Sequence, residues 1–179
     1  MFVTLVVTAL LLAACGGGSP EPPAASTGTP GATAKPETTV APTAAALTSA
    51  DVCRLLAIEE VEAILGFRPN PTPQQEPPGP GVSTGRCVWD AGSSNGELTL
   101  TVMQGQEGVQ AQILDSTPIE GEALSGIGDQ AGVTVQGNFS VEVMARSGRK
   151  VMTLSAMAMG VTDRKDAVIA AARSVATKL

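Results

Sequence analysis

The sequence predicts an α+β domain, an antiparallel sheet of four to five strands packed against N-terminal and C-terminal helices, preceded by a signal peptide and a disordered linker. Three observations carry this prediction. Apolar residues alternate with polar ones over 97–104 and 138–146, the period of a strand with one buried face. They recur at helical spacing over 52–65 and again over 162–179. Everything before Leu47 lacks both periods. The chain therefore divides into residues 1–14, a leader; residues 15–47, a tether; and residues 48–179, one globular domain of ordinary size.

The leader is an apolar run from Phe2 to Leu12 that closes on Leu12-Ala13-Ala14-Cys15 and is followed by three glycines. A membrane-spanning helix needs roughly 20 apolar residues, so the run is too short to cross a bilayer and suits the core of a signal peptide. Small residues directly before a cysteine look like the lipobox of a bacterial lipoprotein, with cleavage before Cys15 and a diacylglycerol on its sulfur. Cys15 is the expected lipidation site. The expected location is then the extracytoplasmic face of a cell membrane, held by that lipid. No Lys or Arg precedes the apolar run, although signal peptides ordinarily begin with a basic segment. A start codon further upstream is the favoured account.

The tether, GGGSPEPPAASTGTPGATAKPETTVAPTAAAL, holds only three charged residues and little that a core could use. Such a composition does not offset its ordering entropy, so disorder is expected. A flexible chain of this length spans about 30 Å and a fully extended one about 100 Å.

Within the domain, SADVCRLLAIEEVEAILG presents Val52, Leu55, Leu56, Ile58, Val61, Ile64 and Leu65 at helical spacing. A break is expected near Ala57. Ser49 or Asp51 is the expected N-terminal cap, and Gly66 the C-terminal stop. The next stretch has six prolines between Arg68 and Gly85 and is expected to contain neither strand nor helix. Strands are expected at Arg86–Asp90, Glu97–Gln104, Asn138–Arg146 and Lys150–Met159, with a weaker fifth at Gly132–Gln136. Ser93-Ser94-Asn95-Gly96 and Ser147-Gly148 supply turns. Glu107–Asp115 reads as a short helix. The terminal helix runs from Thr162, its expected cap, to Leu179, with Asp163 and Asp166 at the positive end of its dipole and Lys178 at the other.

Composition excludes several function classes. Formal net charge is −6 and no basic run exceeds two residues, so the counterion-displacing stripe that nucleic acid requires is missing. The chain has no histidine, which removes Ser-His-Asp and Cys-His catalysis and imidazole-ligated zinc. With Cys15 committed to the lipid, Cys53 and Cys87 remain. An even pair in an exported domain points to one disulfide, the alternative being two buried thiols. Closing that ring restricts the unfolded chain by on the order of 3–4 kcal/mol.

Four further patterns bear on chemistry. Ser147-Gly148-Arg149-Lys150 fits the Ser-x-x-Lys of serine acyltransferases, but its place between two strands reads as a turn. Met103, Met144, Met152, Met157 and Met159 could offer thioethers to Cu(I), against the plainer use of methionine as core filler. Glu120, Glu122 and Asp129 flank Gly121, Gly126 and Gly128 and could offer oxygens to Ca²⁺, though the spacing matches no calcium loop. The glycines more simply turn the chain, with Asp129 serving backbone donors. Glu59, Glu60 and Glu62 read as a solvated helix face. No catalytic residue, metal ligand or cofactor is assigned.

Taken together, Asp51-Val52-Cys53-Arg54-Leu55-Leu56, Glu60-Val61-Glu62-Ala63-Ile64-Leu65-Gly66, Cys87-Val88-Trp89 and Gly126-Ile127-Gly128-Asp129-Gln130-Ala131 resemble actinobacterial cell-envelope lipoproteins of unknown function. The resemblance covers residues 50–179 besides the lipobox and tether. It implies an α+β domain similar to the PsbP-like sandwich, with the two cysteines bridged, and brings no shared enzymatic activity with it. Ala57 departs from the pattern, which tends to carry a capping Ser or Thr there. The expected function is a non-enzymatic, membrane-anchored binding or interaction domain. Its partner would be an envelope protein, such as a sensor-kinase ectodomain, or a small apolar ligand. An envelope-maintenance enzyme or a copper or calcium carrier is the alternative.

Overall fold

In a computed structural model of the chain, two units separate at Ala41/Pro42. The structure describes residues 47–74, 82–90, 96–105 and 116–179, all in the second unit. The leader, nearly all of the tether and the helix expected at Glu107–Asp115 lie outside the described residues, as does Cys15.

Two short helices come first: α1 (Ser49–Cys53) and α2 (Ile58–Leu65), with the expected break between them. Thr48, not Ser49 or Asp51, is the N-cap of α1. Its hydroxyl accepts the Asp51 N–H, and the Asp51 carboxylate accepts the Thr48 N–H in return, a capping box. Ala57 opens α2 without a side-chain oxygen to offer. Half of the box survives, because the Glu60 carboxylate accepts the Ala57 N–H at 2.8 Å. Gly66 ends α2 at φ +82°, in the left-handed region glycine enters without steric cost.

Seven strands follow among the described residues: β1 (Asn70–Gln74), β2 (Val82–Asp90), β3 (Glu97–Gly105), β4 (Glu122–Leu124), β5 (Gln130–Gln136), β6 (Ser140–Ser147) and β7 (Lys150–Met157). They form one antiparallel sheet in the order β1-β2-β3-β7-β6-β5-β4. The α+β class stands, but the sheet has more than the four or five strands expected. The stretch from Arg68 to Gly85 is not devoid of strand, since β1 lies within it and β2 begins at Val82. Pro71 and Pro73 are tolerated because they alternate. Both missing N–H groups fall on the edge of β1 that faces away from β2, and among the described residues no strand lies beyond it.

One sheet face carries the core. Cys87, Leu100, Leu154, Val143 and Val133 run as a cross-strand row through β2, β3, β7, β6 and β5. Trp89, Leu98, Ala156 and Val141 form the adjacent row, and all nine side chains are buried. The helices cover that face. After a 3-10 turn at Val161–Arg164, α3 (Lys165–Ala176) lays Val168, Ala171, Ala172 and Val175 on β6 and β7. α2 inserts Val61, Ile64 and Leu65 beside it.

Thr162 does not cap this last helix: the chain enters α3 through the 3-10 turn, and no side chain caps either segment. Arg164 has a different task. Its Nη1 donates to the carbonyls of Ile64 and Leu65 at 3.2 and 3.3 Å, satisfying the open end of α2 from a hundred residues away. Lys178 lies past α3 and donates to the Leu55 carbonyl at 2.6 Å.

Candidate functional site

The densest concentration of non-generic chemistry lies where α1 meets the β1–β2 edge. Ser49 and Cys53 are one helical turn apart on α1, and Gly85 and Cys87 alternate onto one face of β2. The helix and strand are therefore matched at two points. Cys53 and Cys87 sit at disulfide distance, 1.95 Å between sulfurs and 5.1 Å between Cα atoms. Ser49, buried, accepts the Arg86 N–H at 3.1 Å and donates its hydroxyl hydrogen to the Gln74 carbonyl. Gln74 and Arg86 are register partners. The serine hydroxyl thus stands between two strands at the last pair of their ladder, supplying the donor and acceptor those groups require.

Gly85 makes the approach possible. A Cβ there would lie 2.5 Å from Val52 Cγ2 and 3.0 Å from the Thr48 carbonyl oxygen. Of these residues, the two cysteines were expected to pair by parity. Ser49 reads in the sequence as a cap, and Gly85 carries no local signal of its own. The signal that could have found them was the spacing: Ser49 to Cys53 at i,i+4 and Gly85 to Cys87 at i,i+2 put both pairs on facing surfaces once the cysteines are joined.

Gly126-Ile127-Gly128-Asp129 does what its glycines suggest. Gly126 and Gly128 take φ of +72° and +56°, and the bend between them drives Ile127 into the core. A Cβ on Gly128 would lie 2.1 Å from the Arg146 carbonyl oxygen. Asp129 donates its N–H to that carbonyl at 2.7 Å, and its carboxylate accepts the Gly148 N–H at 2.7 Å. The motif clamps the entry of β5 to the β6–β7 hairpin.

The remaining candidates disperse. Ser147 and Lys150 face each other as the last pair before a two-residue turn, and Lys150 donates to the Leu179 carbonyl. Met152 is in the core, Met103 and Met144 lie on the opposite sheet face, and Met157 and Met159 are exposed. The thioethers are thus divided among three environments. Glu122 pairs with Lys165 at 2.8 Å and Asp129 serves the hairpin, so neither converges with Glu120. Among the described residues no group of three or more His, Cys, Asp or Glu is gathered to hold a metal. On α2, Glu62 pairs with Arg68 at 3.3 Å while Glu59 faces solvent.

Two carboxylates are more acidic than usual, their pKa values lying below the ordinary carboxylate range. Asp51 is held down by the Thr48 hydroxyl first, then by the Thr48 N–H and the Arg54 charge. Glu122 is held down by its hydrogen bond with Lys165 and by that ammonium's charge.

An apolar surface occupies one end of the sheet. Phe139 tips the β5–β6 turn, and its carbonyl accepts the Ala158 N–H at 2.9 Å. Met157 and Met159 flank Ala158, with Phe139 46% and Met159 75% exposed. No helix among the described residues is long and apolar enough to cross a membrane.

The family described as Protein of unknown function (DUF3558) matches residues 10–166. That span takes in the end of the leader, the tether and the domain as far as the first turn of α3. The chain belongs to this family. No curated protein and no solved structure matches it. For this member of DUF3558, the Gly-x-Gly-Asp loop and the Ser49–Gly85–disulfide junction have structural work that the geometry makes explicit.

Proposed function

We propose that this DUF3558 protein is an extracytoplasmic lipoprotein, anchored through Cys15 and working as a non-enzymatic binding domain at the cell envelope. The observation that carries the reading is Leu12-Ala13-Ala14-Cys15 at the end of an apolar run. The pairing of Cys53 with Cys87 supports it, since such bonds persist in oxidising compartments. The PsbP-like likeness belongs to the same reading, supported by an antiparallel sheet covered on one face by helices from both ends of the domain.

Of the two partner classes, an envelope protein is favoured over a small apolar ligand. Trp89, Ile64, Leu98, Leu100 and Leu154 occupy the space between sheet and helices, whereas Phe139, Met157 and Met159 lie open at the surface. Mass spectrometry of protein from native membranes tests the anchor. A mature chain beginning at Cys15 with added acyl mass is expected, and Cys15→Ser should move the protein from the membrane to the soluble fraction. A chain retaining residues 1–14 without acylation would overturn the reading. Crosslinking in the native membrane tests the partner. Capture that survives in the wild type and is lost in Phe139→Ser supports the apolar end as the contact.

A further inference from the structure

We infer that the Cys53–Cys87 bond is a redox-operated lock on a two-armed latch formed by α1 and β1. The two arms flank α2 in the chain, and α2 itself is fixed. Its Val61, Ile64 and Leu65 are in the core and its last carbonyls are held by Arg164. The arms hold the body more lightly: α1 sends Val52 into that core, and β1 rests on its ladder with β2. α1 is one and a half turns long, too short to be stable alone, and β1 pairs on one side only. β1 lies on β2 through its five-residue ladder, and α1 is secured there by a small set of groups, one of which also reaches β1. The Ser49 hydroxyl joins α1 to Gln74 of β1 and to Arg86 of β2. Val52 sits over Gly85. The disulfide, while intact, holds this arrangement closed. Any chain preceding the domain enters at Thr48, so the bond also fixes that entry point to the sheet.

The two sulfurs are not equivalent. Cys87 is fully buried, whereas Cys53 is partly exposed. A thiolate of a dithiol reductant therefore attacks Cys53 Sγ, forming a mixed disulfide and releasing Cys87 as a thiolate that takes up a proton. The second thiol of the reductant then attacks the mixed disulfide and frees Cys53. Two electrons and two protons pass to the protein, and the dithiol leaves as its own disulfide. With the lock open, α1 swings about Arg54–Ala57 and β1 about Gly66–Pro69, uncovering the outer edge of β2. The body of β3, β7, β6 and α3 stays folded.

Hydrogen exchange of the full chain, oxidised and after dithiothreitol, tests this. Amides of α1, of β1 and of Arg86 should exchange at the earliest labelling time in the reduced chain, while those of β6, β7 and α3 remain protected. Ser49→Ala in the oxidised chain is the second arm. It removes the hydroxyl but keeps the bond, and should speed exchange at Arg86 and β1 by about tenfold with α3 unaffected. Either of two results overturns the latch: unchanged protection of α1 and β1 on reduction, or loss of protection throughout. In the second case the bond supports the whole domain rather than one edge, and an unaltered Ser49→Ala pattern would show the hydroxyl to be idle as well.

Discussion

Leu154 in β7 and Pro73 in β1 lie three strands apart in one sheet, and what keeps each strand in place differs in kind. β7 is flanked by β3 and β6 along its full length, and Met152, Leu154 and Ala156 are sealed beneath α3. Its hold is distributed over many apolar contacts, none of them indispensable in character. β1 has one neighbour and two residues without N–H groups. Beyond its ladder with β2, its place depends on α1, which a hydroxyl, a glycine that admits the helix and a sulfur–sulfur bond hold against β2. A distributed hold weakens in proportion to what is removed. A hold made of three discrete devices gives way locally while the rest of the sheet persists.

The largest effect belongs to the centre. Leu154→Ala deletes a fully buried side chain in the middle of the Cys87–Val133 row and should cost about 2–5 kcal/mol. Denaturant unfolding should show the midpoint falling for every probe together. If a probe on α1 or β1 moved while the α3 helical signal did not, the contrast between the regions would be reversed.

Next comes the tie between the fixed helix and the end of the chain. Arg164→Ala leaves the Ile64 and Leu65 carbonyls without their charged donor. Losing hydrogen bonds to a charged group predicts a loss of about 1.5–3 kcal/mol. Since α2 is the pivot of both arms, exchange should rise in α2 as well as at its flanks. Gly85→Ala acts on the edge alone. Its new methyl would stand 2.5 Å from Val52 Cγ2, which is buried and has no room to withdraw. The expected loss is about 1–3 kcal/mol, and the exchange change should be confined to α1, β1 and β2. A uniform change would mean that edge and centre unfold as one unit.

The same division governs what could be read in the sequence. Alternation in Leu98-Thr99-Leu100-Thr101-Val102 and in Val141-Glu142-Val143 announces strands because burial on one face imposes a period of two. The helical stripes at 52–65 and 162–179 are visible for the corresponding reason. β1 was invisible because proline counts as a strand breaker unless its missing donor faces outward, which depends on where the strand sits in the sheet. The front of β2 was missed because Ser83-Thr84-Gly85 lacks any bulky apolar residue. Ser49 reads as a cap because a serine at a helix start usually is one. Thr48, one position earlier, had that role, and only the presence of β1 and β2 gives Ser49 another. The cysteine pair was accessible by counting. The hydroxyl and the glycine beside it were accessible only through the fold.

The smallest effect separates the two edges of the sheet from each other. β4, at the far edge, is tied to α3 by Glu122 and Lys165, an exposed pair at 2.8 Å. β1, at the near edge, depends on α1, whose capping box uses Asp51. Both carboxylates are more acidic in the folded chain than in the unfolded one. A depressed folded value means the unfolded state binds the proton more readily. Each contribution is therefore complete above the ordinary carboxylate range and disappears as pH falls through the depressed folded value. Acid should loosen both edges. Salt should loosen β4 alone: an exposed ion pair is screened, whereas the capping box consists largely of hydrogen bonds within one turn. Exchange measured at neutral pH in high salt should thus rise at β4 and stay level at α1, while exchange in acid, corrected for its intrinsic pH dependence, rises at both. Equal responses to salt at the two edges would mean that charge, and not the hydroxyl and the disulfide, holds the near one.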